Sequence, residues 1–313
     1  MRCVDLANNG TTGKMKKVIF DCDNTMGVKD CDVDDGLALL YLLGKEQIEL
    51  SGITTTYGNS DVETVYANTA AMLQELGRTD IPLLKGCDKN VLDCEAAEFL
   101  VETVKADPGR ISILATGSLT NLYAAFHMDQ DFFDNVGEIV LMGGITEELN
   151  INGRILNELN FSCDPAAAEC VLRSRQNVSV ITGNNCLTAF FTAADFRHQL
   201  GLNRKPIAQY IYHTCKDWFR TMMRVFELEG FHNWDVVAAV YLAEPDMFMD
   251  KLYGFDSGEK ELSQGFLRLS GPDEAACMIN LPEIKSIEKF SEEVYQSWLT
   301  AQCDFRISDG TAG

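Results

Sequence analysis

Positive charge is scarce in this sequence. Its 313 residues include 26 Lys and Arg against 47 Asp and Glu, so the formal net charge is -21 at pH 7. Phosphate backbones and anionic lipids repel such a chain, and we expect neither a nucleic-acid polymer nor a membrane as its partner. No stretch approaches the ~20 consecutive apolar residues that a membrane span requires. Residues 1–17 also lack the apolar core of a signal peptide, which predicts an intracellular, cytoplasmic protein.

Motifs built on histidine or paired cysteine are also lacking. The four histidines do not occur at the spacing of zinc ligands. The eleven cysteines are odd in number and scattered, and none forms a Cys-x-x-Cys pair. We therefore predict reduced, buried thiols rather than a disulfide framework or a structural metal site.

Nothing in the sequence marks a boundary between domains. There is no linker rich in Pro, Gly or Ser, no internal repeat and no segment of low complexity. The length and a hydrophobic content of 46% suffice for a sizeable core. We expect a polar, loosely ordered tail over residues 1–15 and a single domain over residues 16–313.

Apolar runs alternate with helical patterns along the first two thirds of the chain. The predicted strands cover residues 16–20, 49–56, 81–84, 111–115, 138–142 and 178–182. The predicted helices begin near residue 34 and cover residues 62–76, 95–106 and 164–173. Later patterns predict one long helix within 206–230, a helix over 235–243, a hairpin or edge strands within 253–270 and a helix over 286–300. This alternation is typical of an α/β fold with an open, mainly parallel sheet flanked by helices.

The densest group of acidic residues follows the first predicted strand. Its members are Asp21, Asp23, Asp30, Asp32, Asp34 and Asp35. Ligands bind beyond the carboxyl ends of strands in open parallel sheets, and so many carboxylates repel one another unless a cation or a polyol holds them. Oxygen ligands of this kind suit Ca²⁺ or Mg²⁺. The plainer alternative is a solvated acidic loop.

One resemblance is short. The segment from Phe20 to Thr25 resembles the opening motif of haloacid-dehalogenase-type phosphatases, in which an apolar strand precedes Asp-x-Asp and a Thr. That family also needs a late Lys and a late acidic pair after a strand, whereas Asp195 and Asp217 stand alone. A phosphatase of this type is the alternative enzyme.

A second resemblance rests on six motifs in order. They are Asp21-x-Asp23 with Asp34-Asp35, then residues 54–59 (TTTYGN), residues 115–121 (ATGSLTN), residues 141–144 (LMGG), Glu158-Leu159-Asn160 ahead of Asp164-Pro165, and Trp234-Asp235. Together, over about residues 16–300, the series resembles the inosine–uridine-preferring nucleoside hydrolases. The resemblance implies hydrolysis of a nucleoside to base and ribose, Ca²⁺ as cofactor, and a homodimer or homotetramer.

The resemblance also implies a role for each matching residue. Asp23 would be the general base and a metal ligand, together with Asp35, Asp235 and the backbone carbonyl of Thr116. Asp21 would be a supporting carboxylate. The residues expected to bind the substrate are Asp34, Asn59, Asn152, Glu158, Asn160 and Trp234. These residue types suit the chemistry, because cleavage through a ribosyl-cation-like state needs a deprotonated water and polar groups that hold the sugar.

The sequence departs from the family pattern at three places. Residues 24–33 lengthen the first motif and introduce Asp30 and Asp32 as rival ligands. No His-Gly lid motif occurs between Gly86 and Glu95. Trp234 stands where many members of the family have a histidine that protonates the leaving base.

One of these departures, Trp234, affects which substrate we expect. Purine-specific members have Trp at this place, where stacking raises the basicity of the purine, so we expect a purine preference. His232 is an alternative acid. A catalytically silent relative that binds a ribosyl ligand is the alternative to an enzyme, and ligand binding without turnover would identify it.

Overall fold

The computed structural model describes residues 15–174, 178–271 and 277–305. The predicted N-terminal tail therefore lies outside the described residues, apart from Met15. The strands are β1 Lys16–Cys22, β2 Ile48–Thr55, β3 Leu83–Leu84, β4 Ile111–Ala115, β5 Glu138–Met142, β6 Leu149–Ile151, β7 Arg154–Leu156, β8 Val178–Ile181, β9 Phe190–Thr192, β10 Gly230–His232, β11 Phe248–Met249, β12 Leu252–Phe255, β13 Leu269–Ser270, β14 Met278–Asn280 and β15 Glu283–Ile284.

Helices connect most of these strands. They are α1 Asp34–Leu43, α2 Val62–Glu75, α3 Glu95–Ala106, α4 Thr120–Met128, α5 Phe132–Asn135, α6 Asn160–Cys163, α7 Pro165–Leu172, α8 Gly183–Cys186, α9 Ala193–Phe196, α10 Pro206–Thr214, α11 Lys216–Phe226, α12 Trp234–Ala243, α13 Glu259–Leu262 and α14 Ile287–Thr300. None of the described helices is long and apolar enough to cross a bilayer.

Nine of the described strands form one sheet in the order β13-β12-β14-β8-β5-β4-β1-β2-β3. Neighbours pair in parallel from β3 to β14, and β12 pairs antiparallel with both β14 and β13. The prediction of an open, mainly parallel sheet is confirmed. Because β2 lies on one side of β1 and β4 on the other, the strand order reverses between β1 and β4. Sheets of this kind bind ligands at such a point.

Helices cover both faces of the sheet. On one face α1 is buried along its whole length and packs against α12 and α14. On the other face α4 packs against α3 and α7. Side chains of β1 alternate between the two cores, as a strand buried on both faces requires. This packing fixes the first turns of α1 and α12 next to the end of β1.

Side-chain caps explain why several helices begin where they do. Asp61 accepts a hydrogen bond from the Thr64 N–H at the start of α2, and Asp164 accepts one from the Ala167 N–H at the start of α7. Ser286 caps α14 in the same way. These caps satisfy backbone N–H groups that have no partner within the helix.

The prediction of one long helix within residues 206–230 is wrong. The chain forms α10 and α11, with a break at the buried Cys215, and then the short strand β10. The two helices have different partners, because α10 packs against α14 whereas α11 packs against β10. One straight helix could not make both contacts.

The prediction that all cysteines are reduced is also wrong. Cys87 and Cys94 form a disulfide that closes the loop between β3 and α3. Their Cα atoms are 5.0 Å apart, because this loop folds back on itself before α3. Cys22, Cys186 and Cys215 carry free thiols that are buried.

Candidate active site

The acidic residues predicted from the sequence meet at the carboxyl end of β1, where the strand order reverses. Asp34 and Asp35 occupy the first turn of α1, and Asp235 occupies the first turn of α12. One carboxylate oxygen from each of the three lies within 4.8 Å of the other two. The backbone N–H of Asp235 donates to Asp34 over 3.4 Å, so the two helix starts are in direct contact. The positive ends of both helix dipoles favour negative charge at this place.

Asp23 lies beside this cluster and is buried. Its carboxyl is in hydrogen-bond contact with Asp35. It also accepts the Asn59 backbone N–H at 2.6 Å and the Asn59 side-chain amide at 3.2 Å. Gly58 precedes Asn59 because a Cβ at that position would collide with the Asp23 carboxylate. The motif over residues 54–59 therefore serves to orient Asp23.

Burial sets the acidity of these groups. Desolvation, more than any other cause, raises the pKa of Asp23 to about 6 and holds the pKa values of Asp35 and Asp235 well above the ordinary range. Repulsion among the neighbouring carboxylates adds to the shift of Asp35 and Asp235. A buried group of carboxylates that resists ionisation is a set of oxygen donors that a hard divalent cation would stabilise.

Asp21 is a fully buried carboxylate of the group. One of its oxygens accepts bonds from Thr54 at 2.5 Å and Asn121 at 2.7 Å, while the other is buried without a partner among the described residues. Burial raises its pKa to about 7. Asp21 thus lies within the sheet behind the site. The hydrogen bond to Asp21 holds the Asn121 side chain, which does not cap the start of α4.

Thr116 directly follows β4, at the place between β1 and β4 where the strand order reverses. Its hydroxyl donates to Asp35 over 2.7 Å. Its carbonyl oxygen, the predicted metal ligand, accepts the Asn160 amide at 2.9 Å. The same amide donates to the Met142 carbonyl at 3.0 Å. Asn160 thus holds the ends of β4 and β5 and leaves its own carbonyl oxygen available.

Glu158 organises the loop before α6. Its carboxylate accepts three backbone N–H groups, from Gly144 at 3.1 Å, Phe161 at 2.8 Å and Ser162 at 2.9 Å. Burial raises its pKa from the ordinary value despite these bonds. The solvated-loop alternative for Glu158 and Asn160 does not describe their positions, because both side chains are buried.

A cavity of about 320 Å³ opens above the aspartates. Its wall includes most of the predicted substrate-binding residues: Asp34, Asn59, Glu158, Asn160 and Trp234. Apolar side chains from β6, β7 and β5 complete the wall: Leu149, Leu156 and Met142. The volume lies at the lower end of the roughly 300–1,000 Å³ that small-molecule pockets span. Among the described residues that line it, none is Lys, Arg or His.

Asn152 does not join the other predicted residues. It lies in the turn between β6 and β7 with a positive φ of 51°, and its amide donates to the Phe226 carbonyl at 2.9 Å. It is exposed and is not part of the cavity wall. The turn therefore uses this asparagine to contact the end of α11.

The two rival ligands from residues 24–33 have different surroundings. Asp30 points to α11, where Thr221 and Arg224 each donate to it over 2.8 Å. Asp32 contacts the Asp34 carboxyl and lines the cavity. We call residues 24–33 the inserted loop. Its tip is thus fixed to α11, and only Asp32 is directed toward the aspartate cluster.

Trp234 and His232 lie side by side at the start of α12. Their ring centroids are 5.1 Å apart, and His232 also contacts Phe190 at 5.0 Å. Burial lowers the pKa of His232 to about 4, so the imidazole is neutral at pH 7. His232 is not part of the cavity wall, whereas Trp234 is. The geometry therefore favours Trp234 over His232 as the residue beside a bound base.

Trp218 is a cavity residue that the sequence patterns did not indicate. It lies on α11, one turn before Thr221, and its ring lines the cavity. Cys31 of the inserted loop lines the cavity as well. The only signal in the sequence was a tryptophan in a helical pattern, which more often marks a core position. Its place at the site depends on contacts between distant segments.

The comparisons with known proteins agree with this geometry. The profile of the "Inosine-uridine preferring nucleoside hydrolase" family matches residues 18–278. Uridine nucleosidase 1 of Arabidopsis thaliana is 29% identical over 306 residues, covering 85% of this chain and 87% of that protein. The inosine-uridine preferring nucleoside hydrolase of Crithidia fasciculata is 27% identical over 242 residues, covering 68% and 70%.

Solved structures share the fold. A plant nucleoside hydrolase aligns with a TM-score of 0.80 at 22% identity, covering 91% of this chain and 99% of that one. A purine-preferring ribonucleoside hydrolase from Gardnerella vaginalis aligns with a TM-score of 0.78 at 24% identity, covering 92% and 99%. The chain belongs to the inosine–uridine preferring nucleoside hydrolase family, whose members are hydrolases that act on N-glycosyl compounds.

Proposed function

We propose that this protein hydrolyses the N-glycosidic bond of ribonucleosides, with a preference for purines and with Ca²⁺ as cofactor. The observation that carries the proposal is the group of buried aspartates beneath a cavity lined by carboxylates, amides and tryptophan. Carboxylates and amides are the groups that hydrogen-bond sugar hydroxyls, and an aromatic wall suits a planar base.

The donor set fits a calcium ion. Asp23, Asp35, Asp235 and the Thr116 carbonyl are the proposed ligands, and Asp34 is close enough to join them. Bound Ca²⁺ would offset the repulsion among these carboxylates and lower the pKa of a water molecule beside them. Asp235→Ala should lose calcium affinity and turnover together, and calcium titration of the purified variant tests this. Retained affinity would remove Asp235 from the ligand set.

Asp23 is the proposed general base. Its two bonds from Asn59 fix the carboxylate, and burial brings its pKa to about 6, close to that of an effective base at neutral pH. Asp23 would accept a proton from the attacking water while the glycosidic bond breaks. Asp23→Asn should abolish turnover while the nucleoside still binds; an active variant would move this role to Asp32.

The sugar and the base would occupy different parts of the cavity. Asp34, Asn59, Glu158 and Asn160 are the proposed ribose ligands, since all four line the cavity and have oxygen or nitrogen atoms that can hydrogen-bond to hydroxyl groups. Trp234 would stack on the base. Asn152 is left out of this set, because its amide is engaged by the end of α11.

A phosphatase is disfavoured by charge. A dehalogenase-type phosphatase must bind a phosphate dianion, whereas the described cavity wall has carboxylates and lacks Lys and Arg. A catalytically silent relative would also contain this cavity, and turnover assays distinguish it from an enzyme.

We further propose that the protein acts in purine salvage in the cytoplasm, as a homodimer or homotetramer. Sedimentation velocity at micromolar concentration tests the oligomeric state.

The deciding experiment is an assay of reducing-sugar release from inosine, adenosine, guanosine, uridine and cytidine, with Ca²⁺ and with a chelator. Release that depends on calcium supports the proposal, and a purine-to-pyrimidine ratio above one supports the role of Trp234. Absence of release from all five nucleosides, with calcium bound, would overturn the proposed activity.

A further inference from the structure

The cavity wall carries more carboxyl groups than a single divalent cation can balance. Four of them, those of Asp32, Asp34, Glu158 and Asp235, have no ion pair with Lys or Arg in the described residues. Burial and the neighbouring carboxylate of Asp34 raise the pKa of Asp32 well above its ordinary value. A second positive charge beside this wall would favour the ionised form of such a group.

The fifth carboxylate of the wall differs in this respect. Asp30 is paired with Arg224, whose guanidinium lies 2.8 Å away. Asp32 is two residues further along the same inserted loop and has no cationic partner there. The loop thus places two carboxylates at the cavity. Asp30 is paired with an arginine, and Asp32 has no cationic partner among the described residues.

Two tryptophans line the same cavity from different elements. Trp218 comes from α11 and Trp234 from α12. The faces of indole rings attract cations more strongly than those of other aromatic side chains. Aromatic faces combined with uncompensated carboxylates make a wall that favours a flat, positively charged group.

The described residues of this wall include no His, Lys, Arg or Tyr, so only its carboxyl groups, whose pKa values burial raises, could protonate a neutral leaving base. His232 lies behind Trp234, and its Nδ1 atom is buried without a hydrogen-bond partner. A neutral purine needs a proton to depart as a neutral base, whereas a base that is already cationic needs none.

We propose that this site preferentially hydrolyses ribonucleosides whose base carries a fixed positive charge, such as N7-alkylated purines, and that Asp32 recognises this charge; the inference rests on the proposed hydrolase function. The water oxygen bonds to C1′ as the C1′–N bond breaks, and the electron pair of that bond stays on the base nitrogen and cancels its charge. One water proton is taken up by the general base and passes to solvent. The products are ribose, a neutral base and one proton.

The test compares 7-methyladenosine with adenosine, and adds N-ribosylpyridinium as a cationic substrate that is not a purine. Initial rates of reducing-sugar release in Ca²⁺, corrected for an enzyme-free blank, give kcat/KM for the wild type, Asp32→Asn and Asp30→Asn. The selectivity is the ratio of kcat/KM for the cationic substrate to that for adenosine. Comparing this ratio between variants cancels the greater intrinsic lability of the cationic nucleosides, because that lability is the same for every variant.

We expect Asp32→Asn to reduce the selectivity about tenfold, because it removes one uncompensated charge from the cavity. Asp30→Asn removes a charge from the same loop, but one that Arg224 already balances, so the ratio should stay within about twofold of the wild type. Asp32→Asn keeps the oxygen that accepts the Val33 N–H. Trp218→Leu is a second variant that should lower the same ratio by weakening the cation–π contact.

Each other outcome overturns the inference. An equal loss for charged and neutral substrates in Asp32→Asn would make its role structural, and a loss confined to adenosine would make Asp32 the acid for the leaving group. A wild-type protein that cleaves adenosine but neither cationic nucleoside would refute the inference while leaving the proposed function intact. If no nucleoside of either kind releases ribose, the proposed function fails and the inference fails with it.

Discussion

At the scale of single residues, the site consists of carboxylates kept away from water. Asp21 and Asp23 end the same strand, yet they have different surroundings. Asp23 accepts two bonds from Asn59 beside the cavity, whereas Asp21 lies inside the sheet with one oxygen unpaired. The family resemblance implied different roles for the two residues, and the packing around β1 gives them different surroundings.

The pKa of Asp21 makes a prediction about pH. Its folded-state pKa of about 7 exceeds the ordinary value of 3.8. Between these two pH values the folded chain binds more protons than the unfolded chain, so stability without metal falls as pH rises from about 4 to about 7. Asp21→Asn cannot ionise and still offers an oxygen to Thr54 and Asn121. In chelator at pH 8 we expect it to be more stable than wild type by about 2–4 kcal/mol.

Urea denaturation at pH 4 and pH 8 measures this difference, which should vanish at pH 4. The control is Asp61→Asn, because the Thr64 N–H lowers the pKa of this capping carboxylate and its removal should bring no gain at pH 8. If the free energy of unfolding changes with pH equally in Asp21→Asn and in the wild type, Asp21 ionises as easily in the folded chain as in the unfolded chain.

At the scale of elements, local signals predicted where several helices begin. Asp61, Asp164 and Ser286 each precede an amphipathic run, and each caps a helix in the structure. The break at Cys215 had no such signal, because it arises from the different partners of α10 and α11. The hairpin of β6 and β7 was not among the predicted elements, since its strands are three residues each.

The contact between α1 and α14 predicts the effect of one substitution. Gly44 ends α1, and a Cβ there would collide with the backbone carbonyl of Ser297. The two helices are also joined by the Trp298 indole, which donates to the Leu37 carbonyl at 2.9 Å. We expect Gly44→Ala to lose about 1–3 kcal/mol of stability in thermal or urea unfolding. Gly271→Ala is the matched control, since nothing lies within 4 Å of its added Cβ, and equal stability of both variants would contradict the packing described.

The disulfide between β3 and α3 leads to a second prediction at this scale. Cys87 and Cys94 are separated by seven positions. A crosslink over so short a loop restricts the unfolded chain by about 2–3 kcal/mol. A reducing agent should therefore lower the urea midpoint of the wild type and leave Cys94→Ser unchanged. Cys303→Ser, which alters a free thiol, should keep the wild-type response; a wild type insensitive to reductant would argue against the bond.

The same loop is connected to the site. The Cys87 backbone N–H donates to the Asn121 side chain at 2.8 Å, and Asn121 donates to Asp21 at 2.7 Å. No sequence pattern linked these residues, because the cysteines lacked a recognised spacing and Asn121 also suited a helix start. The loop between β3 and α3 thus contributes to the position of Asp21.

At the scale of the whole molecule, negative charge extends from the surface into the cavity. The net charge of -21 and the acidic wall both disfavour the approach of an anion. We expect inosine 5′-monophosphate to show a kcat/KM at least about tenfold below that of inosine, with a gap that narrows as ionic strength rises. The 5′-O-methyl ether of inosine is the control for size and should behave like inosine. Equal kcat/KM values for the nucleotide and for inosine would show that the negative charge of the protein does not act on the phosphate.

The overall architecture was predictable because it depends on local periodicity repeated along the chain. Alternating strands and helices define a parallel sheet, and the acidic strand end then lies where such sheets bind ligands. The composition of the cavity wall was only partly predictable. Trp218 and the Asp30–Arg224 pair join segments about 190 positions apart, and no local pattern encodes such contacts.

The hydrogen bonds between Asp30 and α11 have a consequence for the engineering of this protein. The inserted loop begins after β1 and ends before α1, yet its tip is held by Thr221 and Arg224 rather than by the aspartates. The reacting centre is supported by the sheet and by two buried helix starts. Because Asn24, Met26 and Val33 near the ends of the loop are buried, a graft into a relative with a compact first motif should be limited to the tip of the loop and its anchor on α11, which leaves the core around β1 and α1 intact.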